Sequence, residues 1–300
     1  MKILIIGGSG YIGTKLFIEL VEYGMDVTSV DLEWYAPSTH TNIKMDAKNM
    51  STEYLKLFDV VIYLSAHSSV KMGDDGLSSI HNNLINFTHL LDKLHNTSIK
   101  LIYASTSSIY GRSGEAERDE EYSNFVPGNF YDLTKMHMET YATMYNVESY
   151  GLRFGTVNGW SPHLRTDIML NAMYNSANTN GVINASNINV NRAVLDISDL
   201  CNAVKKIIVT RDDHRGIFNL ASFNGSVGYI AQRAANILNC SINFDYKPSS
   251  NLVHDFAVST DKFISIFDFK FTGSINTILE SLSRDSVYKT NRNSNIEYRI

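Results

Sequence analysis

A doubly wound α/β fold, a parallel sheet covered by helices on both faces with a smaller second α/β unit, is what this sequence of 300 residues predicts. Three observations carry the prediction. Near-continuous apolar strands alternate with helical segments through the first half of the chain. The first of those strands runs directly into a glycine-rich turn that opens a helix. Past about residue 155 the alternation loosens, resumes and loosens again, so the chain leaves the first unit, returns to it and leaves once more.

The elements follow in order. KILIIG (2–7) is a continuous apolar strand, and YIGTKLFIELVEYG (11–24) is a helix ended by Gly24. MDVTSVD (25–31) is a second strand. STEYLKLF (51–58) is a short helix, and DVVIYLSA (59–66) is a strand. LSSIHNNLINFTHLLDKLH (77–95) has the three-and-four apolar spacing of one long helix. IKLIYAST (99–106) is a further strand. Later, ISDLCNAVKKIIVT (197–210) reads as a helix and GIFNLAS (216–222) as a strand. This places a first unit at 1–155 with a return segment at about 192–220. A second unit comprises 156–191 and 221–285, and 286–300 is a polar tail. GEAERDEEY (114–122) reads as a solvated loop.

Composition excludes several classes. A net charge of −5 gives no reason to expect nucleic acid or an anionic membrane as partner. No run of about 18 apolar residues spans a membrane. The first residues lack a secretory pattern, and the two cysteines, Cys201 and Cys240, are far apart. The expectation is a cytoplasmic protein with reduced thiols. The nine histidines have no metal-ligand spacing, so no metal site is expected.

The glycine turn carries the first chemistry. GGSGYIG satisfies G-x-G-x-x-G through Gly8, Gly10 and Gly13, and G-x-x-G-x-x-G through Gly7, Gly10 and Gly13. Between a strand and a helix N-terminus, free backbone N–H groups and the helix dipole favour a pyrophosphate, and side chains would block its approach. Asp31 ends the second strand 18 residues after Gly13. A carboxylate there accepts hydrogen bonds from ribose hydroxyls and repels a 2′-phosphate, which favours NAD over NADP. The first unit is therefore Rossmann-type.

The second constellation is YASTSSIYG (103–111) with FYDLTKMHME (130–139). Tyr131 and Lys135 are four apart and share one helix face. They follow a strand whose C-terminal end is where an open α/β sheet binds ligands. A phenol beside an ammonium and a nicotinamide cation has its pKa lowered. It then takes a proton from an alcohol as hydride leaves the same carbon.

Together these segments resemble the extended short-chain dehydrogenase/reductase family, in its nucleotide-sugar epimerase/dehydratase group. The resemblance extends to Asp46 in MDAKN, to VIYLSAHSSV, to Asn83 in NNLINFTHLL, and to LRFGTVNG, RAVLDISDLCNAV and GIFNLAS. It implies Tyr131 as catalytic acid/base, Lys135 on the nicotinamide ribose, and Thr106 as the catalytic hydroxyl. It implies Gly7, Gly10, Tyr11, Ile12 and Gly13 at the pyrophosphate and Asp31 at the adenosine ribose. Asp46 and Ala47 would meet the adenine, and Leu64, Ala66 and Ser105 would line the cofactor. Arg192 would bind the nucleotide diphosphate of a nucleotide sugar, with Thr156, Asn171, His67 and Ser107 as further substrate contacts. In relatives the long helix and the Tyr–Lys helix form a four-helix interface, which implies a homodimer.

One departure narrows the chemistry. In sugar 4,6-dehydratases the catalytic threonine is followed by Asp-Glu, whereas Ser107 and Ser108 follow Thr106 here. The expectation is an NAD-dependent nucleotide-sugar 4-epimerase. The alternative is a keto-sugar reductase or sugar dehydrogenase. The Tyr–Lys pair argues against a non-catalytic dinucleotide sensor and against a methyltransferase.

Overall fold

Strand β1 (Lys2–Ile6) has Ile3, Leu4, Ile5 and Ile6 all buried, as a central parallel strand covered on both faces requires. In the computed structural model, which describes residues 1–67, 76–246 and 254–283, it leads into α1 (Tyr11–Glu22), β2 (Asp26–Asp31) and the short β3 (Ile43–Lys44). Next come α2 (Thr52–Leu55), β4 (Val60–Tyr63), α3 (Gly76–Ser79), a π-helical stretch at Ile80–Ile85, α4 (Asn86–Leu94) and β5 (Lys100–Thr106). β6 (Arg112–Arg118), α5 (Phe130–Met144), β7 (Ser149–Phe154), β8 (Thr156–Asn158), α6 (Met169–Asn180), β9 (Val182–Ser186) and β10 (Asn191–Asp196) follow. The rest is α7 (Ile197–Val209), β11 (Gly216–Leu220), β12 (Phe223–Ser226), α8 (Val227–Leu238), β13 (Ser241–Asp245), β14 (Asp255–Val258), α9 (Asp261–Phe267) and α10 (Ile275–Ser283).

The large sheet has the order β11-β7-β5-β4-β1-β2-β3, every neighbour parallel. From β1 the chain winds outward to β3, then returns to place β4 on β1's other side. That reversal opens a crevice between the loops after β1 and β4, at the carboxyl ends of the strands. On one face α1 and α7 bring Leu16, Leu20, Val204 and Ile207 against Ile3, Ile5 and Ile62. On the other, α4 and α5 bring Phe87, Leu91 and Met138 against Leu4, Val61 and Tyr63. A separate core around Leu170, Ile183, Ile230 and Leu279 holds α6, α8, α10 and β9 together.

Four details differ from the sequence-based expectation. Helix α2 is a single turn. The segment expected as one helix over 77–95 contains the π-helical stretch, which turns Asn83 inward, fully buried. β6 overlaps the segment expected as a loop (114–122), because Arg112–Arg118 finds a parallel partner in β14, far away in sequence. The return to the large sheet is made by α7 and β11. β10, expected within that return, pairs instead with β8 and β12 in a three-stranded sheet. The polar tail 286–300 and residues 68–70 of VIYLSAHSSV lie outside the described residues. No helix among the described residues is long and apolar enough to cross a membrane, and no group of three or more His, Cys, Asp or Glu there could hold a metal ion.

Candidate active site

The loop after β1 is shaped by what its glycines exclude. Gly7 has φ +89°, and a Cβ there would stand 2.6 Å from the Ser65 backbone nitrogen. At Gly13 a Cβ would stand 2.2 Å from the Gly7 carbonyl oxygen, so α1 packs directly on the loop. Gly10 differs. A Cβ there would meet only the Gly7 carbonyl oxygen, at 3.5 Å, so its bare face opens away from the protein. The first intrahelical bond of α1 runs from the Thr14 N–H to the Gly10 carbonyl (3.0 Å). The N–H groups of Tyr11, Ile12 and Gly13 therefore stand ahead of the helical ladder. Ser9 Oγ is buried at the same place with no hydrogen-bond partner among the described residues.

Around this cradle the other predicted positions converge. Asp31 Oδ2 accepts from the Ser9 N–H (3.0 Å) and Oδ1 from the Glu33 N–H (2.6 Å). Burial raises the Asp31 pKa, against those two hydrogen bonds. Leu64 continues β4, its N–H donating to the Ile6 carbonyl (2.8 Å), and Ala66 follows half-buried. Asp46 caps a 3₁₀ turn starting at Ala47 and pairs with Lys48 (3.0 Å). His67 is tied to the π-helical stretch: its N–H donates to Asn83 Oδ1 (2.7 Å), and Asn83 Nδ2 donates to Thr134 Oγ1 (3.1 Å).

The acid/base group sits where β5 meets α5. Asn129 caps α5 by accepting from the Asp132 N–H (2.9 Å), which fixes the first turn carrying Tyr131. Thr106, the last residue of β5, acts on the Tyr131 phenol from beside it. Lys135, one turn on, is buried and donates to the Ala104 carbonyl (2.7 Å). The expected lowering included a nicotinamide cation; the protein's own groups by themselves act the other way. Burial pushes Tyr131 up to about 12; Thr106 acts downwards and Asp132 upwards. Burial also pushes Lys135 down to about 7, against the Glu139 carboxylate, so the lysine's own charge is weakened. A bound nicotinamide cation acts in the lowering direction on the phenol.

The hydroxyls around Thr106 divide sharply. Ser105 Oγ donates to Glu139 (2.5 Å), itself held by Arg153, and Ser107 Oγ donates to the Phe154 carbonyl (2.8 Å). Both are spent within the protein. Ser108 instead lies 2.8 Å from Thr106 Oγ1 and donates to Asp132 Oδ1 (2.5 Å). Asp132 Oδ2 accepts from Asn129 Nδ2 and from His254 Nε2, each at 2.7 Å.

A family model described as the NAD dependent epimerase/dehydratase family matches residues 3–221. The chain belongs to that family. It is thus an enzyme of a family whose cofactor is NAD, and the open Gly10 face, the orphaned Ser9 hydroxyl and the Asp31 carboxylate suit a dinucleotide's pyrophosphate and ribose. Among sequence relatives of this family member, Protein CapI of Staphylococcus aureus is 28% identical over 236 residues, covering 69% of each chain. UDP-glucuronate 4-epimerase 3 of Arabidopsis thaliana is 29% identical over 183 residues, 53% of this chain but only 43% of the plant protein. Among solved structures, MoeE5 in complex with UDP-glucuronic acid and NAD superposes with a TM-score of 0.82 at 20% identity, covering 95% of this chain and 100% of that one. UDP-glucuronic acid 4-epimerase from Bacillus cereus in complex with UDP-glucuronic acid and NAD gives 0.79 at 21%, covering 94% and 97%. At these identities the structural likeness is one of fold.

Two predicted positions of this epimerase/dehydratase-family enzyme are committed elsewhere. Asn171 Oδ1 accepts from the Gly159 N–H (2.9 Å), and Nδ2 donates to Tyr11 Oη (3.3 Å) and to the Arg165 carbonyl (2.9 Å). No polar atom of that amide is left for a nucleotide. The Tyr11 ring turns to the second unit, its hydroxyl donating to the Gly159 carbonyl (2.7 Å), so only its backbone faces the cradle side of α1. Thr156 and Arg192 are half-buried on neighbouring strands β8 and β10. Burial lowers the Arg192 pKa, with Asp255 acting against it. Sequence reasoning missed Ser108, Asp132, His254 and His163. The last is buried with Nδ1 against the Ser9 carbonyl, and its Nε2 has no partner among the described residues.

Proposed function

We propose that this enzyme is an NAD-dependent nucleotide-sugar 4-epimerase acting through a transient 4-keto sugar. One observation carries the reading. The site offers the Tyr131 phenol, with Thr106 beside it, to a substrate oxygen, while the Asp132 carboxylate is fully buried with both oxygens hydrogen-bonded inside the protein. Dehydration needs a further acid or base at carbon, and among the described residues Ser107 and Ser108 stand after Thr106 with no such group. The relatives named as 4-epimerases support the same class.

In this reading Thr106 holds the sugar hydroxyl and Tyr131 Oη takes its proton. NAD, when bound, would supply the hydride acceptor for the carbon bearing that hydroxyl and the donor for its return. Lys135 orients the nicotinamide ribose, and Asp31 accepts from the adenosine ribose hydroxyls. Arg192 and Thr156 meet the nucleotide diphosphate, with His67 at the rim. The free thiols Cys201 and Cys240 suit a cytoplasmic enzyme, and the outer face of α5 supports a homodimer.

The test follows sugar stereochemistry and cofactor together. Purified protein should carry NAD and interconvert a 4-hydroxyl epimer pair among UDP-, GDP- and CDP-sugars with no net change in reduced-nicotinamide absorbance. Tyr131→Phe should lose about 10²–10⁴-fold in turnover while keeping NAD. Stoichiometric NADH formation or consumption would replace the epimerase by a reductase or dehydrogenase.

A further inference from the structure

Residues 159–165, which join β8 to α6, lie against the glycine turn from outside the large sheet. One amide closes this stretch at both ends. Asn171 Oδ1 accepts from the Gly159 N–H (2.9 Å), and its Nδ2 donates to the Arg165 carbonyl (2.9 Å). Pro162 restricts the backbone between them. Two side chains of the closed stretch reach the start of α1. Ser161 Oγ donates to the Tyr11 carbonyl (2.7 Å), and His163 Nδ1 meets the Ser9 carbonyl. In return the Tyr11 hydroxyl donates to the Gly159 carbonyl (2.7 Å). Ser9, Thr14, Ser161 and His163 are all buried.

The partners of His163 decide where its proton sits. The Ser9 carbonyl only accepts, so Nδ1 is the donor. Thr14 Oγ1, 3.3 Å from Nδ1, gives its own proton to the Gly8 carbonyl (3.3 Å) and accepts a share of the same N–H. An N–H at Nε2 would find no acceptor among the described residues. Ser9 is thereby held on both sides, its N–H by Asp31 Oδ2 (3.0 Å) and its carbonyl by His163. The need for this hold comes from Gly10. The bare face that admits a pyrophosphate also removes the side chain that would limit rotation there. The Gly10 N–H makes only a long bond to the Gly7 carbonyl (3.4 Å). From this geometry we infer that His163 is a positioning residue for the cofactor. It fixes the Ser9–Gly10 peptide through its carbonyl, so the loop has its binding shape before the dinucleotide arrives. NAD affinity then depends on a residue 154 positions beyond Ser9, on a different stretch of the fold. The inference is independent of which sugar chemistry the enzyme performs.

The competing account is that His163 only fills space beside α1. Three variants separate the two. His163→Asn keeps a donor close to the place of Nδ1, His163→Gln carries its donor farther out, and His163→Leu keeps bulk without a donor. In calorimetric titration of the dinucleotide-free full chain with NAD, Kd should rise about tenfold in His163→Leu and His163→Gln, the loss of one buried hydrogen bond. It should stay within about threefold of wild type in His163→Asn. Space filling predicts the opposite order, with the small polar asparagine worst and leucine best. That order, or one affinity shared by all four proteins, would overturn the inference. A second measurement needs no variant to fold. Nitrogen–proton correlation spectra of the wild-type imidazoles distinguish the two tautomers. The His163 ring, assigned through its own backbone signals, should be the Nδ1–H form with and without NAD. Finding the proton on Nε2 instead would remove the donor to Ser9 and the inference with it.

Discussion

Lys135 is the residue where burial and charge conflict most. Its ammonium sits among β5 and α5 with one carbonyl acceptor, and burial brings its pKa down to about 7. The unfolded chain holds that proton up to about pH 10.4. Between these values the unfolded state binds more protons than the folded one, so stability rises with pH across that window. Below about pH 7 both states are protonated and the full cost of burying the charge remains. Lys135→Met keeps the volume and removes the titration. In urea unfolding of the dinucleotide-free protein, the variant's advantage over wild type should be large near pH 7 and shrink toward pH 9.5. An advantage that stays flat would mean that Lys135 is charged and well paired in the fold. The spacing of Tyr131 and Lys135 was plain in the sequence, but the sign of their perturbation was not. Only the coordinates show that Lys135 spends its proton on Ala104 rather than on the phenol.

At the scale of elements, the strand–turn–helix β1–α1 divides its glycines into two jobs that a pair of variants tells apart. Gly13→Ala drives a methyl to 2.2 Å from the Gly7 carbonyl oxygen and 2.8 Å from Gly8 Cα, both rigid backbone. It should cost about 1–3 kcal/mol of stability and lower the melting temperature. Gly10→Ala meets only an ordinary contact at 3.5 Å and should melt like the wild type. Its loss should appear in NAD affinity, because the methyl enters the space over the helix N-terminus. The idea fails if Gly10→Ala binds NAD normally, or if Gly13→Ala melts unchanged. This element was legible because its strand, glycines and helix are contiguous in sequence, between Lys2 and Glu22. β6 was illegible for the opposite reason. Nothing in Arg112–Arg118 announces a strand until β14 lies beside it. The hydrogen bonds joining Ser108, Asp132 and His254 were hidden in the same way, since these residues come from three separate segments and the last contact spans 122 positions. The π-helical turn is a further case, because an inserted residue in a helix leaves the apolar spacing nearly intact while turning Asn83 toward His67 and Thr134.

For the whole molecule, α5 joins the site to the outside. Its inner face carries Tyr131, Lys135 and Met138, and its outer face leaves Phe130, Tyr141 and Met144 exposed at 43%, 39% and 71%. Those three, with Leu133 and His137, recur at the spacing of a helix-pairing seam. The exposed side chains lie on the helix that the sequence resemblance assigns to a four-helix contact between two copies, and α4 packs beside it. A second copy presenting the same face would cover both apolar rows by symmetry. The expected result in light scattering is a particle of twice the chain's mass at micromolar concentration. Replacing Tyr141 and Met144 together by glutamate puts like charges across the axis and should yield a folded monomer. Turnover is the informative second readout, because the same helix orients Tyr131 and Lys135. A monomer that keeps its melting temperature but loses kcat would show that pairing steadies the catalytic face. A wild-type monomer, or a dimer indifferent to both glutamates, would remove α5 from the interface.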